Sequence, residues 1–238
     1  MAEDRLVVNE IYGPVFQGEG PNTGRLCGFL RLGRCNLQCK WCDTAYTWDW
    51  KGINGIAYDP AKELSKMTLD EVVQQLVEFD LPLWVISGGE PMLQQKALGE
   101  IIQALRLDCF FEIETAGTLM PTEPWTKWSN VRFNVSPKLE SSGNRKELRY
   151  KPHVLGTFAH SRNAAFKFVI TSESDFAEVD QIVNDVGISI SNVWCMPEGT
   201  SASTLLTRAK RIEEEVLRRG WNMTLRQHVL IHGNERGT

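Results

Sequence analysis

No stretch of this chain of 238 residues approaches the roughly eighteen consecutive apolar positions that a membrane-spanning helix requires. Its opening run, MAEDRLVVNE, lacks the basic n-region and apolar core that mark a secretory leader. A cytoplasmic protein with no membrane partner is therefore expected. Basic residues are not in excess either: 26 Lys and Arg stand against 30 Asp and Glu, a formal net charge of -4, and the cations are scattered. The footprint that duplex nucleic acid demands is missing, so no nucleic-acid partner is expected and a small molecule is the expected ligand. Cysteine is sparse, six residues in all, which excludes a disulfide framework. Internal repeats and low-complexity tracts are absent. What is present is apolar material, 42% of residues against 24% charged, enough to bury one sizeable core, so residues 1–238 are read as one domain.

Short apolar runs rich in β-branched and aromatic residues recur: CGFLRLG (27–33), LWVIS (83–87), FFEIET (110–115), VRFNVS (131–136), AFKFVIT (165–171), NVWCMP (192–197) and LRQHVLI (225–231). Each is read as a strand. Helical periodicity lies between several of them, in LDEVVQQLVEF after Thr68, QKALGEIIQALRL from 95, ESDFAEVDQIVNDV from 173 and STLLTRAKRIEEEVLRR before Gly220. Thr68 and Glu71 have capping-box spacing, and Gly220 suits the position just past a helix end. Strands alternating with helices argue for parallel βαβ units, in a sheet or barrel whose ligands gather at the C-terminal ends of the strands. The unusual segments fall there: CNLQCKWCD, SGGEP, ETAGT, SPK and MPEGT each end or follow an expected strand. Two stretches, 43–67 and 137–163, break the alternation and are read as long connections.

Cys35, Cys39 and Cys42 crowd into RCNLQCKWCD directly after the first of these strands. Clustered thiols in a reducing compartment bind metal more often than they pair. Structural zinc takes four ligands, usually as two separated pairs, and here the count stops at three. An iron–sulfur cluster held by only three Cys keeps one iron open for a further ligand. A zinc-stabilised interaction module without chemistry is the rival of a different class. Cys27, Cys109 and Cys195 stand singly in apolar runs and are read as small buried hydrophobes. In SGGEP the glycines allow close backbone approach to a ligand or simply a tight strand-to-helix turn.

The spacing Cys-x-x-x-Cys-x-x-Cys, with Trp41 just before the last Cys, resembles the signature of the radical S-adenosylmethionine (SAM) superfamily, and SGGEP resembles its GGEP motif. More specific are QGEG at 17–20, the Phe-x-Arg of FLR at 29–31, and Cys42-Asp43-Thr44. Together with Ser136-Pro137-Lys138 they resemble the 7-carboxy-7-deazaguanine synthase family, from Asn9 to about Gly199. That resemblance implies an α/β fold, a partial, shortened parallel (β/α)6-type barrel that acts as a homodimer. It implies a [4Fe-4S] cluster, SAM and Mg2+ as cofactors, and a flavodoxin-like or ferredoxin-like electron donor. The implied reaction contracts the ring of 6-carboxy-5,6,7,8-tetrahydropterin to 7-carboxy-7-deazaguanine with release of ammonia, on the route to queuosine and other deazapurines. A 5′-deoxyadenosyl radical takes hydrogen from C6, and SAM is regenerated.

Residue by residue, the resemblance places Cys35, Cys39 and Cys42 on the cluster, whose open iron chelates SAM. It puts Gly88, Gly89 and Glu90 at the SAM amino group and Glu114 near the ribose. Ser136, Pro137, Lys138, Met196, Pro197, Glu198 and Gly199 are implied to hold the rest of SAM. Phe16, Gln17 and Gly18 are implied to line the pterin, with backbone groups and a side-chain amide reading its guanidine-like edge and Glu19 accepting from the ring N–H groups. Arg31 offers the planar two-pronged donor that suits the substrate carboxylate, Ser87 touches substrate, and the Thr44 hydroxyl holds Mg2+. No catalytic residue beyond the cofactor is implied. The nearest rival is an activating enzyme for a glycyl-radical protein, which shares the cysteine motif but acts on a polypeptide. Family members differ at the C-terminus, which can fold back towards substrate; here it ends HGNERGT, and residues 139–163 match the family pattern poorly.

Overall fold

The computed structural model describes residues 5–122 and 125–238. Among these residues nine strands form one sheet: β1 (Arg5–Phe16), β2 (Leu26–Leu32), β3 (Ser65–Thr68), β4 (Leu83–Gly88), β5 (Phe110–Thr115), β6 (Val131–Val135), β7 (Ala164–Ile170), β8 (Val193–Pro197) and β9 (Asn222–Met223). Their spatial order is β3-β1-β2-β4-β5-β6-β7-β8-β9. β1 pairs antiparallel with both β2 and β3, and every pairing from β2 onward is parallel. β2 and β4 to β8 thus match the six parallel strands of the expected barrel, the two-residue β9 adds a seventh parallel strand at the edge, and the sheet stays open between β3 and β9.

Helices fill the crossovers. α1 (Pro60–Glu63) and α2 (Leu69–Phe79) precede β4, and α3 (Gln95–Ala104) precedes β5. α4 (Lys146–Arg149) and α5 (Pro152–His160) precede β7, α6 (Asp175–Val186) precedes β8, α7 (Ala202–Arg218) precedes β9, and α8 (Gln227–His232) follows it. The β5-to-β6 crossing carries only a 3-10 turn at Trp125–Lys127 among its described residues, which shortens the barrel. α2 starts with the expected capping box, the Thr68 hydroxyl accepting from Glu71 N while the Glu71 carboxylate accepts from Thr68 N. Gly220, with φ of 66°, closes α7 as expected: its N–H donates to the Leu217 carbonyl at 3.0 Å.

Period-two alternation sorts the two faces of the sheet. In β7, Phe166, Phe168 and Ile170 join the main core beneath the helices, while Lys167 and Val169 point into the barrel. β2 sends Leu30 and Leu32 outward and Phe29 and Arg31 inward, and β4 sends Trp84 and Ile86 outward and Ser87 inward. The helix-covered face therefore supplies most of the apolar burial, worth roughly 25 cal/mol per Å² removed from water. The inner face is free to carry polar side chains. Cys27 and Cys195 are buried as expected, whereas Cys109 is only half-buried.

Four expectations need correction. LRQHVLI is not a strand: its second half is α8, and the edge position goes to Asn222–Met223 just before it. The polar Arg226-Gln227-His228 breaks the apolar run that a strand of this sheet needs. β1 was not expected as a strand; the chain absorbs Gly13 and Pro14 within it as an irregularity in register between Tyr12 and Val15. The connection 43–67 ends earlier, since α1 and β3 occupy its last part. Residues 137–163 are not one loop, because α4 and α5 lie within them and Leu155 and Phe158 of α5 are buried in the core.

Candidate active site

The C-terminal ends of the parallel strands open into a cavity of about 470 Å3. A larger concavity, about 1200 Å3, lies at the opposite end against Leu83, Phe110 and Val131, and none of the residues singled out above lines it. The chemistry belongs to the smaller one, where the motif-bearing loops converge. Of the singled-out residues, Gly18, Glu90, Pro137 and Pro197 stand behind the wall and all others line it.

Cys35, Cys39 and Cys42 lie on the loop leaving β2, packed around Leu37 and Ala116. Each sulfur meets an N–H donor: Leu37 N at 3.5 Å from Cys35, Asn144 Nδ2 at 3.2 Å from Cys39 and Trp48 Nε1 at 3.3 Å from Cys42. Such donors favour the thiolate. Burial opposes them, pushing the Cys35 thiol up to about 12 and raising those of Cys39 and Cys42, so a cationic group must hold the thiolates. Among the described residues no three His, Cys, Asp or Glu side chains stand close enough to share one metal ion. Three thiols so spaced suit a multi-iron cluster better than a single zinc ion.

The glycines after β4 are required by this loop. Gly89 N donates to the Leu32 carbonyl at 2.9 Å and Glu90 N to the Arg34 carbonyl at 2.8 Å, which lashes SGGEP to the start of the cysteine loop. A Cβ on Gly89 would sit 1.7 Å from the Arg34 oxygen. The Glu90 side chain faces away from the cavity: Thr115 Oγ1 donates to one of its oxygens at 2.7 Å and Ala116 N to the other at 2.8 Å. Burial nonetheless raises its pKa. Glu90 thus joins the end of β4 to the end of β5 from behind the cavity wall. Thr44 Oγ1 donates to the Gly88 carbonyl at 3.3 Å, at the rim between cysteine loop and β4. Across the mouth, Lys138 Nζ donates to Ser136 Oγ at 2.8 Å and stands 5.7 Å from the Trp41 ring centre.

On the other side of the cavity, QGEG leads from β1 toward β2. Gln17 is buried and its amide is already committed, Nε2 donating to Glu112 and, at 3.5 Å, to Glu114, and Oε1 accepting from Glu19 N at 3.2 Å. It therefore stiffens the loop while still lining the cavity. Glu19 is held between two cations, Lys167 on one oxygen and Arg226 Nε at 2.9 Å on the other. Burial alone would raise its pKa, but Lys167, Arg226 and His228 together hold it well below the usual carboxylate range. Arg31 lies under the rings of Tyr12, Phe29 and Tyr46, donating from Nε to Glu10 and from Nη2 to Tyr12, both at 2.7 Å. Ser87 Oγ donates to Glu114 Oε2 at 2.7 Å, and Lys167 Nζ is 3.7 Å from Glu114. Glu114 accordingly groups with Ser87, Gln17 and Lys167 on this side of the cavity.

Sequence reasoning passed over several residues here. Lys167 is a lone cation inside the apolar run AFKFVI, a signal open to notice. Glu112, fully buried beneath Gln17 and pushed up to about 7 by burial and by Glu114 beside it, is the first polar residue of FFEIET. Arg226 and His228 lay in a run read as a strand. The tail has no pattern of its own, and residues 233–238 line the cavity, with the Arg236 guanidinium 3.9 Å from the Tyr46 ring centre.

The family model for the radical SAM superfamily matches residues 30–153. The 7-carboxy-7-deazaguanine synthase of Pyrobaculum aerophilum is 34% identical over 239 aligned positions that cover 99% of each chain. That of Hyperthermus butylicus is 32% identical over 231 positions, 95% of this chain and 92% of the other. The crystal structure of QueE from Escherichia coli is similar in fold, with a TM-score of 0.69 at 21% identity over 94% of this chain and 95% of that one. With the cysteine loop, SGGEP and QGEG gathered around one cavity, and relatives matching end to end, this chain belongs to the 7-carboxy-7-deazaguanine synthase family of radical SAM enzymes.

Proposed function

We propose that the chain converts 6-carboxy-5,6,7,8-tetrahydropterin to 7-carboxy-7-deazaguanine and ammonia, a step towards queuosine and other deazapurines. The observation that carries this reading is that one cavity is lined both by the three-cysteine loop and by Glu19, Arg31 and Ser87. Membership of the superfamily brings a [4Fe-4S] cluster and SAM, held by Cys35, Cys39 and Cys42 and by the wall from Gly88 to Lys138 and Met196 to Gly199; once bound, they supply the radical chemistry.

The chain's own residues then bind, orient and exclude water. Glu19, kept ionised by its two cations, accepts from the N–H groups of the pterin. Arg31 spends two donors on Glu10 and Tyr12, which leaves Nη1 for the substrate carboxylate, in an aromatic surround that strengthens the charge–charge contact. Ser87 and Glu114, already hydrogen-bonded to each other, offer a donor and an acceptor side by side. Thr44 Oγ1 and the Gly88 carbonyl put two hard oxygen donors at one point of the rim, a partial Mg2+ site that substrate oxygens complete. We include in the proposal one radical SAM domain over residues 1–238, assembly as a homodimer and reduction by a flavodoxin-like or ferredoxin-like donor.

Anaerobically reconstituted protein incubated with SAM, dithionite and the carboxylated tetrahydropterin should yield the deazaguanine acid by mass spectrometry. Cleavage of SAM with the pterin returned unchanged would defeat the substrate assignment.

A further inference from the structure

The segment after β9 is docked on the QGEG loop. Gly20 N donates to Thr224 Oγ1 at 3.0 Å, Gln227 N donates to the Gly18 carbonyl at 2.9 Å, and a Cβ on Gly18 would collide with the His228 ring. Arg226 sends its guanidinium from this segment into the barrel mouth, where the side chain is 8% exposed. Its donors reach three segments far apart in sequence: Nε to Glu19 Oε1 at 2.9 Å, Nη1 to the Gly199 carbonyl at 2.9 Å, and Nη2 to Asp43 Oδ2. Asp43 directly follows Cys42, and Glu19 is the acidic residue of QGEG. Among the described residues no hydrogen bond joins 17–20 to 35–44 directly. The guanidinium is the polar link between them.

We propose that Arg226 is a positioning residue that fixes the separation between the substrate loop, through Glu19, and the cluster loop, through Asp43. The proposal rests on the reaction assigned above and adds a residue to it. A planar group making charge-assisted bonds to two carboxylates and a carbonyl sets direction as well as distance. Hydrogen abstraction depends on how closely the substrate carbon meets the radical source, and a misplacement of about 1 Å costs on the order of 100-fold. Loosening this link therefore leaves substrate bound but lets more of the radical escape unproductively. A residue that served packing alone would lower stability or cluster content without changing the fate of the radical.

Asp43→Asn tests this, because it removes the anionic end of the link on the cluster side and leaves Glu19 and its cations in place. Anaerobic turnover with SAM, dithionite and the carboxylated tetrahydropterin is scored as 5′-deoxyadenosine released per deazaguanine acid formed. That ratio does not depend on how much cluster a preparation carries. Pterin Kd is measured by calorimetry alongside. The ratio should rise by at least about threefold while Kd stays within about threefold of wild type. Arg226→Lys, which keeps the charge but loses the fork, should raise the ratio likewise. A ratio for Asp43→Asn closer than about threefold to wild type overturns the positioning role, and so does a rise matched by an equal weakening of pterin binding. If wild type forms no deazaguanine acid, the assigned reaction fails and this role falls with it; productive wild type with an unmoved ratio defeats the positioning role alone.

Discussion

Replacing Lys167 by Met is a demanding test of the polar interior. The ammonium is buried on the inner face of β7, ion-paired with Glu19 and 3.7 Å from Glu114. Met fills much the same space, so the change removes charge without opening a large cavity. Breaking a buried pair by deleting one partner costs about 3–5 kcal/mol, because the surviving charge stays buried. Arg226 remains on the other Glu19 oxygen, which argues for the lower end, about 3 kcal/mol. At roughly 2–4 °C per kcal/mol for a chain of this size, Tm should fall by about 6–12 °C.

The pH dependence has a definite sign. In wild type the folded Glu19 pKa is depressed, so its contribution is present above the unfolded value and is lost only as pH falls through the lower folded one. Lys167 is shifted up, so its contribution persists until pH rises through the folded value. Neither changes between about pH 5.5 and 8. In Lys167→Met, burial of Glu19 is opposed only by Arg226 and His228, its pKa moves up, and the folded state takes up protons at a higher pH than in wild type. The gap to wild type should therefore narrow as pH falls. Glu19→Gln in the same chain should recover part of the loss. Thermal scans of anaerobically prepared, cluster-loaded protein measure all three; a Tm loss under about 2 °C, or a gap that widens towards acid, would refute the reasoning.

Three further outcomes follow from the geometry. Gly89→Ala should fail to retain iron and should lower Tm, since its Cβ meets the Arg34 carbonyl, whereas Gly156→Ala, in α5 with nothing within 4 Å of the added carbon, should leave iron content unchanged and raise stability by up to about 1 kcal/mol; iron assay and thermal scans decide. Cys39→Ala should abolish the visible iron–sulfur absorbance, and Cys195→Ala, buried under α7, should keep it, so equal spectra would refute the ligand assignment. Thr44→Val should blunt the response of turnover to added Mg2+ while Thr44→Ser retains part of it, and identical activation curves for wild type and Thr44→Val would remove the metal role.

Much of the fold was legible because alternation and capping are local. The six parallel strands appear where β-branched and aromatic runs place them, and the motif segments fall at their C-terminal ends because a βαβ unit turns there. The Cys35–Cys42 loop and SGGEP were legible as a site for the same reason. What a linear pattern hides is commitment between distant residues. Gln17 gives its amide to Glu112, in the fifth strand. Glu90 is held from below by Thr115 and Ala116. Arg226 looks like a strand residue, and only the folded chain sets it against Glu19 and Asp43, at separations of 207 and 183 residues. The tail closed over the cavity carries no periodicity, because its placement comes from Arg236 meeting Tyr46, Glu10 and Glu63.

The central claim is that one cavity holds both a four-iron cluster on Cys35, Cys39 and Cys42 and a carboxylated pterin between Glu19 and Arg31. Anomalous diffraction at the iron edge from anaerobic crystals grown with SAM and the pterin tests both at once. The account predicts iron density against those three sulfurs and pterin density in the same cavity, its carboxylate towards Arg31. Zinc at the thiols, or pterin seated in the concavity at the opposite end against Phe110 and Trp128, would contradict it.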